Sequence, residues 1–415
     1  MNFTLKLIAC LTLATGAITS AQNFALKNGD TVVFYGDSIT DQRLYTTFAE
    51  TYVLTRFPEL RVRFVHSGWG GDRVSGGGGG PVDLRLRRDV IAYRPTVMTI
   101  MLGMNDARYR TYDEAIFHEF ASGYEKIVHD MKAAFPRLRI TAIEPSPFDD
   151  VTRKPTVEGG YNTVLLRYSQ FVKNLADREH LNAADLNTPV VATLEKAHAQ
   201  DAALSEKIIP DRVHPGPSGH LIMAEALLKS WNAPAVVSDI EIDAQGGSAK
   251  RALNADVSSI DRTNGLHWQE RDHALPMPID WKDTAVALAV HSSDFLSALN
   301  QEMLRVSGLA AGNYTLKIDG ESVGDFSAEQ LGQGINLAEY PTPMAKQATD
   351  VHKFTIGHNN VHFGRWRMVQ VPLDGQGFEL APAESSLDAL EEQIVLAQKL
   401  AAQPKVHQYE LSLAK

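Results

Sequence analysis

Cysteine is almost missing from this chain: one residue, Cys10, in 415. That excludes a disulfide framework and a thiolate metal site, and it leaves a cysteine nucleophile only if Cys10 survives in the mature protein. Positive charge is also scarce. Forty Lys and Arg against 50 Asp and Glu give a formal net charge of −10, with no basic run of the kind that nucleic-acid phosphates demand. Long apolar runs are missing except at the start, where Leu7 to Ile18 follows the single charge Lys6 and ends in Thr19-Ser20-Ala21. This run is too short to cross a bilayer, which takes about 20 residues. It reads as a signal peptide over residues 1–21, cleaved after Ala21, with a non-cleaved anchor as the alternative. Leu7-Ile8-Ala9-Cys10 loosely resembles a lipoprotein box but sits too early for one. The expected mature protein is secreted or periplasmic, has no stable membrane insertion and holds no cysteine.

The remaining composition, 44% hydrophobic and 22% charged, is that of a folded globular protein, and the length suggests two domains. From Thr31 to Trp231, short β-rich runs alternate with helical patterns. Thr31–Tyr35, Arg61–Val65, Pro95–Leu102 and Leu138–Ile143 read as strands. Ile116, Phe120, Tyr124, Ile127 and Met131 recur at the spacing of one helix face. Strands separated by helices imply crossover connections and a parallel sheet covered on both faces, with ligands at the carboxyl ends of the strands. After Asn232-Ala233-Pro234 the pattern changes. Val237–Ile242, Ala285–Val290 and Leu304–Val306 read as strands, and Tyr314–Ile318, Asp319-Gly320 and Glu321–Val323 as a hairpin with a type I′ turn. Leu387, Leu390, Ile394, Ala397 and Ala401 share a helix face, with Ser385 as the expected cap. The expected domains are therefore 22–235, α/β with a parallel sheet, and 236–415, a smaller β-rich accessory domain with helical elements.

Four loops carry residue types suited to chemistry. Gly36-Asp37-Ser38-Ile39-Thr40 follows the first strand, where a sharp turn would lift the Ser38 hydroxyl into the crevice; alone, the same serine reads equally as a helix cap. A serine needs a base, and Asp211-Arg212-Val213-His214 offers a histidine with a carboxylate three residues before it; alone, this short pattern is more often a solvated surface loop. An oxyanion needs donors. Asn105 in Gly103-Met104-Asn105-Asp106 follows the third strand, and Gly70 and Gly71 in His66-Ser67-Gly68-Trp69-Gly70-Gly71-Asp72 follow the second. Each piece also reads as ordinary turn chemistry. Their convergence on one edge of one sheet is what favours a site.

These four blocks, in this order over about residues 28–231, resemble those of the SGNH (GDSL) hydrolase family. The resemblance implies a three-layer α/β/α fold and acyl-ester hydrolysis without metal or cofactor. It implies Ser38 as nucleophile, His214 as base and Asp211 as its partner, with Gly71 and Asn105 joining the Ser38 N–H in the oxyanion hole. Gly71 is preferred to Gly70 because it precedes Asp72. One departure is His66, where the family's second block usually carries Asn. The C-terminal half is similar to an extension of some secreted bacterial members.

Trp69, Arg73, Arg108 and Tyr161 are candidates for lining the acyl or alcohol side, Trp69 being equally suited to a core. The pentaglycine Gly76–Gly80 reads as a solvated loop, or as a flexible lip over the site. It lacks the Gly-Lys-Ser/Thr ending of a phosphate loop. His129, His358 and His362 read as surface or structural, and His352, His358 and His362 lack carboxylates at ligand spacing, so no metal site is expected. The expectation is a serine esterase for short acyl groups, acetyl by family analogy, on a small-molecule or glycan ester. A lipid or thioester acyl hydrolase on the same residues, and a glycan-binding protein with a lapsed triad, are the alternatives.

Overall fold

The computed structural model describes residues 24–414. The expected signal segment, with Lys6 and Cys10, lies outside the described residues. Five parallel strands form the first sheet: β1 (Thr31–Gly36), β2 (Arg63–Gly68), β3 (Val97–Met101), β4 (Arg139–Ile143) and β5 (Asn182–Ala184), in the order β2-β1-β3-β4-β5. Val32, Val33, Phe34 and Tyr35 are all buried, as expected of a strand covered on both faces. The cover comes from helices α1 (Leu44–Arg56), α2 (Val82–Asp89), α3 (Glu114–Ala134), α4 (Tyr161–Glu179), α5 (Thr188–Gln200) and α6 (Pro217–Ser230). Helices α1, α5 and α6 pack as one group and α2, α3 and α4 as another. The face Ile116, Phe120, Tyr124, Ile127 and Met131 of α3 is buried, as its spacing requires.

Sheet order decides where a site can form. Strand β1 is flanked by β2 on one side and β3 on the other, so the chain direction across the sheet switches there. At such a switch the loops leaving adjacent strands diverge and open a crevice. The loops after β1, β2 and β3 all leave at that edge.

Two further sheets follow. Strands β6 (Val236–Asp243), β7 (Ser248–Leu253), β8 (Ala255–Asp261), β9 (Leu266–Asp272), β10 (Gln301–Ser307), β11 (Asn313–Ile318), β12 (Glu321–Ser327) and β13 (His407–Leu413) supply them. One is the antiparallel sheet β8-β9-β13-β11-β12; the other holds β10, β6 and β7, with Ile335–Asn336 on its edge. The β11–β12 hairpin turns through Asp319 and Gly320, both at positive φ, as a type I′ turn demands.

Two expectations need correction. Residues 285–290 are not a strand: they lie in helix α7 (Thr284–His291), whose first N–H groups are capped by Asp283. A short apolar run fits a buried helix as well as a strand. Here Val286, Ala289 and Val290 join the core of the first sheet, together with Phe295 and Leu299. Ser385 caps nothing, because its helix already starts at Ala381 with Pro382 in the first turn. That helix, α9 (Ala381–Ala401), pairs with α8 (Pro343–Phe363), and α8 packs on α1. The C-terminal half therefore reaches back onto the helices and core of the first sheet at two places.

Candidate active site

Ser38 opens a one-turn helix, Ser38–Asp41, directly after β1. Asp37 caps it: Asp37 Oδ1 accepts from the N–H of Ile39 at 3.0 Å, and its carbonyl accepts from the N–H of Asp41 at 2.9 Å. Asp37 is fully buried, and desolvation raises its carboxyl pKa to about 7 against the opposing pull of the Ile39 N–H. The turn is fixed from below by Gly68, the last residue of β2. A Cβ there would lie 2.2 Å from the backbone N of Asp41.

The loop carrying Asp211 and His214 is pinned to its surroundings. Gly216 N–H donates to Ile208 O at 2.9 Å, and Asp149 N–H to Arg212 O at 2.9 Å. Arg212 adopts φ +75, and this left-handed turn brings the side chains of Asp211 and His214 to the same side. Asp211 Oδ1 accepts from the N–H of Val213 at 3.0 Å and of His214 at 2.7 Å, while Oδ2 lies 2.8 Å from His214 Nδ1. Partial burial pushes the Asp211 carboxyl up, but these donors outweigh it and hold it below the usual carboxylate range. A carboxylate only accepts, so the hydrogen of the neutral imidazole sits on Nδ1, and Nε2 accepts from the Ser38 hydroxyl at 2.8 Å.

The loops after β2 and β3 supply donors. Asn105 Nδ2 donates to the carbonyl of Asp72 at 3.1 Å, and Asn105 Oδ1 accepts from the Tyr109 hydroxyl at 3.0 Å. Both contacts fix the amide plane and leave one Nδ2 hydrogen uncommitted. Asp72 is itself held by buried Arg85, whose Nε donates to Asp72 Oδ2 at 2.7 Å and whose Nη2 donates to Ser67 O at 2.7 Å. The N–H of Gly70 is committed to Asp41 Oδ2 at 3.1 Å. The N–H of Gly71 finds no acceptor among the described residues. Gly71 also takes φ +76, where a side chain would strain the backbone. Asp106, buried, accepts from the N–H of Val74 at 3.0 Å and so ties the two loops together. Desolvation raises its carboxyl pKa to about 6 against that N–H.

The residues considered for substrate contact take different places. Arg73 is exposed beside Asp72. Arg108 is exposed and ion-paired with Glu119 of α3. Tyr161 is fully buried, donating to the carbonyl of Met104 at 2.6 Å and lying under Tyr109, their ring centroids 5.1 Å apart. Trp69 is half-buried: the guanidinium of Arg367 lies over its ring, and Trp366 meets the ring edge-on at 5.8 Å. The pentaglycine forms a short hairpin, Gly76–Gly77 pairing with Gly80–Pro81. His66 points into the layer rather than toward Ser38, with Nδ1 2.7 Å from Thr46 Oγ1 and Nε2 3.1 Å from Glu50 Oε2. Tyr109, Asp41 and Arg367 were not picked out from the sequence. An aromatic residue four positions after Asn105 was the one signal available for Tyr109.

His358 and His362 of α8 are buried, and their carboxylates come from elsewhere in the chain. His358 Nδ1 lies 2.9 Å from Glu50 Oε1 of α1 and Nε2 3.1 Å from Glu391 Oε1 of α9, with His362 Nδ1 3.8 Å from Glu391 Oε2. His352 Nδ1 meets Thr51 Oγ1 at 2.9 Å, and His129 is exposed beside Glu179. Among the described residues, no three His, Cys, Asp or Glu are grouped to hold a metal ion. No helix among them is long and apolar enough to cross a membrane.

Residues 34–222 match the GDSL-like Lipase/Acylhydrolase family model. The chain is similar to an acetylxylan esterase of Geobacillus stearothermophilus, 28% identical over 228 residues, covering 49% of this chain and 94% of that protein. Its fold is similar along nearly its whole length to a gut microbial diltiazem-metabolizing enzyme, with 25% identity, a TM-score of 0.79 and coverage of 94% of this chain and 98% of the other.

Proposed function

The chain belongs, through residues 34–222, to the SGNH (GDSL) hydrolase family and is a carboxylic ester hydrolase, and from that premise we propose that Ser38, His214 and Asp211 act as its catalytic triad on short acyl esters. The observation that carries this is the unbroken line from Ser38 Oγ to His214 Nε2 at 2.8 Å and from His214 Nδ1 to Asp211 Oδ2 at 2.8 Å. Ser38 Oγ attacks the acyl carbon while His214 Nε2 takes the hydroxyl proton. The tetrahedral oxyanion rests on the N–H groups of Ser38 and Gly71 and the free Nδ2 hydrogen of Asn105. The choice of Gly71 over Gly70 is supported by Asp41, which already occupies the Gly70 N–H. His214 then gives its proton to the leaving alkoxide, and the alcohol departs. Water attacks the acyl-enzyme with His214 again as base, releasing the acid and restoring Ser38. Asp211 stays ionised throughout and stabilises the imidazolium.

The substrate class we favour is an acetyl ester of a carbohydrate, supported by the likeness to an acetylxylan esterase. The fold shared along nearly the full chain with a diltiazem-metabolizing enzyme adds diltiazem to the compounds worth assaying. The test is turnover of p-nitrophenyl esters from two to twelve carbons, acetylated xylo-oligosaccharides and diltiazem, with Ser38→Ala in parallel. Acetyl turnover that vanishes in Ser38→Ala supports the reading. A maximum at medium or long acyl chains moves it to lipid substrates. Turnover unaffected by Ser38→Ala ends it.

A further inference from the structure

We propose that Arg367, from the C-terminal half, is a positioning residue for the oxyanion loop Trp69–Asp72, acting through Trp69 and Asp41. The proposal rests on the serine-esterase reading above and extends it to a part of the chain outside the four blocks.

The geometry begins at Asp41. This residue closes the one-turn helix that Ser38 opens, and its Oδ2 accepts from the N–H of Gly70 at 3.1 Å. One carboxylate thus joins the helix of the nucleophile to the loop whose next N–H, that of Gly71, faces no protein acceptor. Arg367 Nη2 lies 3.8 Å from the same Oδ2. The guanidinium carbon lies 3.0 Å from the centroid of the Trp69 ring, the residue just before Gly70. A cation over an indole face is the strongest form of that contact. Arg367 therefore grips the loop at Trp69 and, through Asp41, at Gly70.

The neighbouring side chain grips the other end. Trp366, almost fully buried, donates from Nε1 to Asp89 Oδ1 at 2.6 Å. Asp89 pairs with Arg85, Arg85 holds Asp72, and the Asp72 carbonyl accepts from Asn105 Nδ2. Two consecutive residues thus brace the loops of two of the three proposed oxyanion donors, Gly71 and Asn105, although more than 260 positions separate them from either. The stretch that presents them, Gly364–Gln370, is π-helical, a widened turn that recurs at functional sites in helices. Nη1 of Arg367 is buried with no partner among the described residues. Burying a guanidinium donor unpaired is costly, and an arginine serving only the surface would turn it to water.

The test compares the full-length wild type with Arg367→Ala, Arg367→Met, Asp41→Asn and the double variant Arg367→Ala/Asp41→Asn on p-nitrophenyl acetate, with Ser38→Ala as control. Arg367→Met keeps the contact over Trp69 without the charge, so it stands in should the alanine variant fold poorly. Misplacing a catalytic group by a fraction of an ångström is expected to lower kcat about 10- to 100-fold in Arg367→Ala, with KM little changed. The double variant should fall no lower than the weaker single, since both changes break one path. Added guanidinium ion should restore part of the loss in Arg367→Ala. Ser38-dependent turnover that Arg367→Ala and Arg367→Met leave at wild-type kcat overturns this proposal alone, as do fully additive losses. Turnover that survives Ser38→Ala overturns the triad reading and this proposal with it.

Discussion

The amide of Asn105 donates to the carbonyl of Asp72 at 3.1 Å, so the loop after β3 hangs on the loop after β2 through the very group that would hold an oxyanion. One hydrogen of the amide is spent on orientation and the other is left for chemistry. Asn105→Ala removes both, and kcat is expected to fall about 10²–10³-fold, the usual consequence of losing one oxyanion donor. Tyr109→Phe removes only the hydroxyl that steadies Asn105 Oδ1. Its loss should be smaller, about tenfold or less, because the Asp72 contact still sets the amide plane. Steady-state kinetics on an acetyl ester, with melting curves to show intact folding, distinguish the two. Equal kcat for wild type and Asn105→Ala would remove Asn105 from the oxyanion hole.

Gly68 offers a test of the turn that presents Ser38, the proposed nucleophile. A Cβ at this position would stand 2.2 Å from Asp41 N and 2.4 Å from Thr40 C, both backbone atoms with no freedom to move aside. Gly68→Ala must therefore push the Ser38 helix away from β2. Overpacking of this kind costs about 1–3 kcal/mol, and the displaced serine should lose contact with His214. A folded Gly68→Ala protein with a lowered melting temperature and kcat reduced by at least an order of magnitude is expected. Wild-type kinetics in that variant would mean the turn tolerates what the close approach forbids.

How far the sequence carries to these conclusions depends on the distance between interacting residues. The Gly36–Thr40 turn, the Asp211–His214 pair and the helix face of Ile116 to Met131 are local patterns, and each is visible within sixteen residues. The β11–β12 hairpin is visible because Asp-Gly has few other uses. Residues 285–290 were misread because a short apolar run has the same appearance in a buried helix and a strand, and only its packing against α6 decides. Ser385 was misread as a cap because Pro382, three residues earlier, already starts the helix. Arg367 over Trp69, and His358 between Glu50 and Glu391, are pairings across the chain that no spacing rule reveals. Left-handed φ at Arg212 and at Tyr109 is equally silent, since neither residue advertises it as glycine would.

The buried His358 should give stability a pH dependence of definite sign. Burial alone would lower its pKa and raise that of Glu50. Their proximity wins instead, with Glu391 adding to it, and His358 is raised to about 10 while Glu50 is lowered to about 2. A histidine raised from 6.5 contributes stability that is complete below 6.5 and is lost as pH climbs through about 10. Glu50, lowered from 4.5, contributes above 4.5 and loses it as pH falls toward 2. His66 is pressed down to about 4, chiefly by burial, and so adds its own loss as pH falls from 6.5. The melting temperature should decline steadily from pH 7 to 10. His358→Gln removes the cation shared by Glu50 and Glu391, although Glu50 keeps its contacts with His66 and Gln398. It costs up to about 3–5 kcal/mol at neutral pH and should flatten that decline. An unchanged alkaline slope in His358→Gln would assign the decline to other groups.

The last prediction concerns Arg212, whose backbone, rather than its side chain, brings Asp211 and His214 together. Its φ of +75 belongs to the left-handed region, which glycine enters without strain and a β-branched residue does not. Arg212→Gly keeps that turn at the loss of the Nη1 contacts to Lys154 O at 2.8 Å, which is exposed, and to Asp149 O at 3.4 Å, which is long. Kinetics close to wild type are expected. Arg212→Val cannot hold φ +75 except at about 1–3 kcal/mol of strain, so the loop should relax and Asp211 should drift from Nδ1. The expected result is a folded protein with kcat lowered by one to two orders of magnitude and a weakened downfield proton resonance from His214 Nδ1. If glycine and valine behaved alike, the loop would be held by its anchors at Ile208 and Asp149, and the turn at Arg212 would be their consequence.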